Sequence, residues 1–226
     1  MFCVVLAHPT WEGIYSQFEK SKPHTDLFEL RLDSLQEISL EHLKSFLHLP
    51  YRFICTYRAY EEGGWKQVDP LERWKILEIC CNEGAYLVDF EWKIFFKIQS
   101  ILERSPYFPQ KILFSYHHFQ TTPSLKVLKG YLKKASNLGI KWFKITTFTE
   151  RIENSLEFLT LIRYGKNLGL EIVAFNMGEK VKLSRVLSLF LGAPFTYVFP
   201  PSEKPLAPGQ MDLLEAKRLW EILKNV

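Results

Sequence analysis

A single α/β domain, a (β/α)8 barrel of the TIM type spanning residues 1–226, is predicted by three features of this chain. Eight short β-rich runs recur along it, each followed by a segment whose apolar residues have helical spacing. Eight parallel strands alternating with helices either close into a barrel or open into a doubly wound sheet, and the count favours the barrel. Neither GxGxxG nor GxxxxGK with a following Ser or Thr stands behind any run, so the open nucleotide-binding sheet lacks its usual mark.

The runs cover 3–7, 27–32, 53–57, 85–91, 112–116, 140–145, 171–175 and 195–199. The first is apolar, but it lacks a basic leader and His8-Pro9 ends it far short of a signal or membrane span, so it reads as a strand. A helix over 71–81 opens behind Asp69-Pro70, one over 124–137 follows Pro123 and stops at Gly139, and one over 150–167 stops at Gly169. The last, 212–223, closes the ring; Trp220 within it suits either the core or an interface.

At 226 residues and 47% apolar composition the chain can bury a substantial core. The formal charge of +4 is spread out, with no long basic block, which argues against nucleic acid. Cys3, Cys55, Cys80 and Cys81 have no CxxC spacing and read as reduced, buried thiols of a cytoplasmic protein that neither binds a metal nor enters a membrane.

A barrel demands functional side chains at the C-terminal ends of its strands, and polar residues recur there: Glu29, Arg31, Asp33, Arg58, Asp89, Glu91, His117 and Lys144. Buried faces of parallel strands are normally Val, Ile and Leu, so these charges need a reason. Asp89 and Glu91, at i and i+2, share a face and either pair with Arg31 or Arg58 or support a site. The ensemble fits a polyhydroxylated anion, whose hydroxyls and carboxylate must each be matched on leaving water. Lys144 and His117, on neighbouring runs, are the minimum equipment for imine chemistry with proton transfer.

Seven strings carry a resemblance beyond architecture. They are Glu29-Leu30-Arg31-Leu32-Asp33; Thr56-Tyr57-Arg58 with Glu62-Gly63-Gly64; Asp89-Phe90-Glu91; Ser115 to Phe119 with Thr122-Pro123; Lys144-Ile145; Met177-Gly178 with Ser184-Arg185; and Ala207-Pro208-Gly209-Gln210. In order and spacing, over residues 27 to 210, they resemble type I 3-dehydroquinate dehydratases.

That resemblance implies a hydro-lyase of the shikimate pathway, serving chorismate and aromatic amino acid biosynthesis, which removes water from 3-dehydroquinate to give 3-dehydroshikimate without metal or organic cofactor. Lys144 would form an imine with the ring ketone. His117 would be the general acid and base, and Glu62 would orient its ring. Lys144 must be neutral to attack, and an interior lined by Trp142, Phe143, Ile145 and Phe148, with arginines nearby, would favour the neutral amine. Arg185 would pair with the ring carboxylate, and Glu29, Arg31 and Arg58 would meet the hydroxyls. Gln210 would reach in from a loop, and Met177 and Tyr197 would form apolar walls. Asp89 and Glu91 would support, while His118, where the family most often has aspartate, would point away.

Val181 and Leu206 stand where the family usually has glycine and serine. The loop 200–210, with Pro200, Pro201, Pro205 and Pro208, reads as a lid of restricted conformations. A homodimer, and fusion to or work beside other shikimate-pathway enzymes, are associations the family allows. Two other readings stay open: another imine-forming, aldolase-like lyase, and a barrel that binds polyol acids without turnover.

Overall fold

The computed structural model describes residues 1–225; Val226, the last residue of the expected domain, lies outside them. Eight strands form one parallel sheet: β1 Phe2–Leu6, β2 Leu27–Arg31, β3 Arg52–Thr56, β4 Leu87–Glu91, β5 Ile112–His118, β6 Trp142–Phe148, β7 Glu171–Met177 and β8 Thr196–Val198. Around it run α1 Trp11–Ser21, α2 Leu40–Leu47, α3 Pro70–Asn82, the short α4 Trp92–Phe95 and α5 Gln99–Leu102, then α6 Leu125–Asn137, α7 Ile152–Lys166, α8 Ser184–Phe190 and α9 Leu213–Lys224. The hydrogen-bonded order β7-β6-β5-β4-β3-β2-β1-β8 is a barrel closed except between β7 and β8. There the Phe175 and Tyr197 rings, 6.3 Å apart, meet across the seam. No helix among the described residues is long and apolar enough to cross a membrane.

All eight predicted runs become strands, and their edges move for local reasons. The fourth starts at Leu87 because the Ala85 N–H donates to Cys80 O in the turn that ends α3. The sixth starts at Trp142 because the Ile140 N–H is taken in the same way by Ala135 O at the end of α6. At the other end β5 and β6 run on, His117 pairing with Thr146 and His118 with Thr147, which puts both histidines inside a strand.

The helices begin where side chains satisfy their first amides. Thr10 accepts from Gly13 N–H at α1, Asp69 from Leu71 N–H at α3, with Pro70 at the first helical position, and Asp212 from Leu214 and Glu215 N–H at α9. Strand alternation then sorts the apolar residues into two cores. Cys3, Val5, Leu27, Ile54, Leu87, Leu113, Val173, Phe175, Phe195 and Tyr197 fill the barrel, with Trp142 packed against them. Phe28, Leu30, Phe53, Phe90, Phe114, Phe143 and Ile145 face the helices. Phe143 and Ile145 therefore do not line the interior around Lys144 as expected, since residues flanking a lysine in a strand point to the opposite side. Trp220, half-buried against the main core, packs on Phe190 with ring centroids 4.3 Å apart.

Phe143 is fully buried against Trp92, ring centroids 5.2 Å apart. Phe143→Ala is expected to lower the unfolding free energy by about 3–5 kcal/mol, read by urea denaturation. A loss well under 1 kcal/mol would mean that this ring does not join sheet to helix layer.

Candidate active site

Inward-facing positions near the C-terminal ends of the strands carry Glu29, Arg31, Thr56, Asp89, Glu91, Ser115, His117, Lys144 and Thr146, and Arg58 follows β3 by two residues. Lys144 is 5% exposed, and its Nζ lies 4.1 Å from the Tyr197 ring centroid and 3.2 Å from Asp89 Oδ2. The same oxygen is 2.8 Å from the Arg58 guanidinium, and Ser115 Oγ donates to Oδ1 at 2.6 Å. Burial would raise the Asp89 carboxyl, but Arg58 and then Lys144 overcome this and hold it well below the usual carboxylate range. The expected repulsion between Lys144 and an arginine is thus bridged by a carboxylate.

Arg58 is itself spoken for. Its Nη1 donates to Ser115 Oγ at 2.6 Å and to Glu91 Oε1 at 3.4 Å. Glu91 also accepts from the Ala59 N–H at 2.6 Å and from Arg73 Nη1 at 2.7 Å. So Asp89 and Glu91 both pair with Arg58, whereas Arg31 turns to Asp33 through two bonds of 3.0 and 2.8 Å and lies over Trp65. Glu29 accepts from Thr56 Oγ1 at 2.7 Å.

His117 Nδ1 lies 2.9 Å from Glu62 Oε2, which also accepts the His117 N–H at 3.1 Å. Burial, with Arg58 and Lys144 adding to it, pushes the imidazole well below its ordinary value, so the resting ring is neutral. Burial also pushes the Glu62 carboxyl up to about 7. The loop that carries Glu62 needs glycine: Gly63 has φ +86°, and a Cβ at Gly64 would stand 2.2 Å from Arg58 O.

Across the mouth, Arg185 at the start of α8 is 2% exposed and sits over the Phe175 ring at 4.3 Å. Its Nε donates to Gly209 O at 2.9 Å, and no carboxylate lies within ion-pairing distance among the described residues. Burial lowers its guanidinium to about 9, against a small opposing effect of Glu179. The loop below it is tied to the β7 end by Gly178 N–H donating to Pro208 O and Gly209 N–H donating to Glu179 Oε1. Gln210 accepts from the Leu206 N–H, bracing the loop from within. Val181 is buried, and among the described residues only Ser202 takes a positive φ without being glycine, so valine is accommodated there without a left-handed backbone.

One cavity brings these groups together. Its lining includes Glu29, Arg31, Arg58, Glu62, His117, Lys144, Met177, Arg185, Tyr197 and Gln210, which is every expected substrate or catalytic position. Asp89 and Glu91 lie beneath, and His118 points away, accepting from the Thr121 N–H. Sequence reasoning missed Thr146 and Phe119 on the lining and Arg73 behind it, whereas Asp33, expected among the strand-end charges, lies behind it and accepts from the Arg58 N–H. Phe119 stacks on His117 with ring centroids 6.0 Å apart, and Leu206 is on the lining as well. Among the described residues no group of three or more His, Cys, Asp or Glu side chains is placed to hold one metal ion.

With this geometry in place, likeness to known proteins acquires meaning. The family model for type I 3-dehydroquinase matches residues 2–226. The chain is 34% identical over 229 residues to a 3-dehydroquinate dehydratase of Methanococcus maripaludis, the whole of each being covered. It is 32% identical over 222 residues to that of Pyrococcus abyssi, covering 97% of this chain and 96% of the relative. The crystal structure of 3-dehydroquinate dehydratase from Geobacillus kaustophilus shares the fold, with TM-score 0.87 at 20% identity over 99% of this chain and 91% of that one.

Removing the Asp89 charge leaves two buried cations facing each other. Asp89→Asn is expected to cost about 3–5 kcal/mol of stability at neutral pH, read by denaturant unfolding. Because the folded-state carboxyl is held low, its contribution is full above the unfolded value near 3.9 and is lost as pH falls below it, so the deficit shrinks in acid. A deficit that grows on acidification would contradict this assignment.

Proposed function

We propose that this chain, which belongs to the type I 3-dehydroquinase family and is a 3-dehydroquinate dehydratase of the shikimate pathway, works through an imine on Lys144, with His117 moving the protons. The observation that carries the reading is the convergence of a buried lysine and a histidine on one cavity, each backed by its own carboxylate.

The chemistry follows from electron demand. An iminium draws electrons more strongly than a ketone, so once Lys144 has condensed with the ring ketone, the adjacent carbon can give up a proton. His117, neutral in the resting site, takes it; the enamine so formed expels the neighbouring hydroxyl, and His117 returns the proton to the departing oxygen. Ionised Glu62 supports the imidazolium that exists between these two steps. Hydrolysis of the product imine then frees Lys144.

Substrate placement follows from which cations are already paired. Arg31 is engaged by Asp33, Arg58 by Asp89 and Glu91, and Lys144 by Asp89. Arg185 has no carboxylate partner among the described residues, and its planar fork suits the ring carboxylate. Glu29, Arg31 and Arg58 offer donors and acceptors to the hydroxyls, and Met177 and Tyr197 give apolar contact. The loop 200–210 is a lid over this cavity, with Leu206, Ala207 and Gln210 on its inner side and Gln210 fixing its curvature.

The rate of dehydroquinate consumption, followed as the conjugated ketone of the product forms, tests these roles. His117→Ala is expected to reduce kcat by about 10²–10⁴-fold. For the wild-type chain kcat/KM is expected to rise with pH through an ionisation near 7, because the Glu62 carboxyl, raised to about 7, must lose its proton before it can support the imidazolium. Glu62→Gln should erase that ionisation and lower the plateau. An unaltered ionisation in the variant would remove Glu62 from proton transfer.

A further inference from the structure

Three buried side-chain atoms without a hydrogen-bond partner among the described residues belong to the lining of this cavity: Glu62 Oε1, Thr146 Oγ1 and Tyr197 Oη. Glu62 already has a place in the proton chemistry, and Tyr197 presents its ring to Lys144. Thr146 has neither excuse. It follows Lys144 by two residues on β6, so both side chains enter the barrel from one strand face. On β5 its register partner is His117, and on β7 it is Phe175.

Its hydroxyl is thus flanked by the imidazole on one side and an apolar ring on the other, in a residue 2% exposed, with no hydrogen-bond partner among the described residues. The next residue makes the contrast. Thr147, pointing to the other side of the strand, has its hydroxyl 2.9 Å from Thr122 Oγ1 and accepts from Asn176 Nδ2 at 2.9 Å. Valine would fill the Thr146 position with the same shape and no polar atom to bury, so a threonine there calls for a ligand oxygen.

We propose that the Thr146 hydroxyl is a catalytic hydrogen-bond donor, holding the substrate oxygen that leaves as water when the ketone condenses with Lys144. The inference rests on the imine reading above. Nitrogen forms its bond to the carbonyl carbon while the carbonyl electron pair moves onto oxygen. Both protons which that oxygen then needs come from the Lys144 ammonium, one before attack and one after, carried by His117. The C–O bond breaks, water departs and the protonated imine remains, so the step balances as ammonium plus ketone giving iminium plus water. Thr146 neither gains nor loses a proton; its O–H meets the oxygen as negative charge grows there.

The test is a time course. The chain is mixed with 3-dehydroquinate, quenched with borohydride at intervals, and weighed intact for the reduced adduct. Thr146→Val is expected to accumulate adduct about tenfold more slowly, and Thr146→Ser to stay near the wild-type rate. Thr146→Val should melt no lower than the wild type, because no protein partner is lost. Adduct forming at the wild-type rate in Thr146→Val, equal slowing in the serine variant, or a lower melting temperature for Thr146→Val would each overturn the proposal. Thr146→Ala against Thr146→Ser repeats the comparison with a second pair that differs by the hydroxyl. If the wild-type chain itself gains no adduct, the imine reading fails first, and this inference falls with it.

Discussion

One carboxylate oxygen, Asp89 Oδ2, lies 2.8 Å from the Arg58 guanidinium and 3.2 Å from Lys144 Nζ, in a residue with no exposed surface. Two cations brought this close in an interior of low dielectric would repel strongly. The shared anion lets them coexist, and it fixes the lysine at the height of the barrel where the cavity opens. Ser115 and Glu91 complete the arrangement by accepting from Arg58 Nη1. Glu91 then ties the inner network to the helix layer through Arg73 and to the chain beyond β3 through the Ala59 N–H. The position of the amine therefore depends on contacts from β3, β4, β5 and α3 together.

The same pairing logic sorts the rim. Arg31 and Arg58 are each paired with a carboxylate of the protein, so in the proposed reaction they would give an incoming anion direction more than charge. Arg185 has no carboxylate partner among the described residues and is positioned by backbone carbonyls instead, which orient a guanidinium without cancelling its charge; in the proposed reaction that charge meets the ring carboxylate. Burying an unpaired cation is costly, and the drop of its guanidinium to about 9 records that cost. The His117 and Glu62 pair differs again: burial leaves both neutral forms accessible near neutrality, the condition under which a proton can be passed on rather than stored.

Much of this was legible in the sequence because strand chemistry is local. Every β-rich run became a strand, and the inward or outward direction of each titratable group follows from its parity with its neighbours. Misplacing Phe143 and Ile145 beside the amine came from reading proximity along the chain as proximity in space, which alternation forbids. Strand starts were misjudged where Ala85 and Ile140 are captured by the end of the preceding helix, a contact that apolar content alone does not reveal. Thr146 carried a signal, two residues past Lys144 on the same face. Arg73 carried one too, occupying a place on the buried stripe of α3 with Trp74, Leu77, Cys80 and Cys81. The Arg31–Asp33 pair was hidden because strand and 3-10 turn meet there, and neither period predicts that the two side chains face each other.

The claim on which all the rest turns is that the Asp89-paired amine is the one that bonds to substrate. Borohydride reduction in the presence of 3-dehydroquinate, followed by peptide mass mapping, addresses it directly. The account predicts one reduced adduct, on the peptide holding Lys144 and on that residue. An adduct on any other lysine, with Lys144 unmodified, would contradict it.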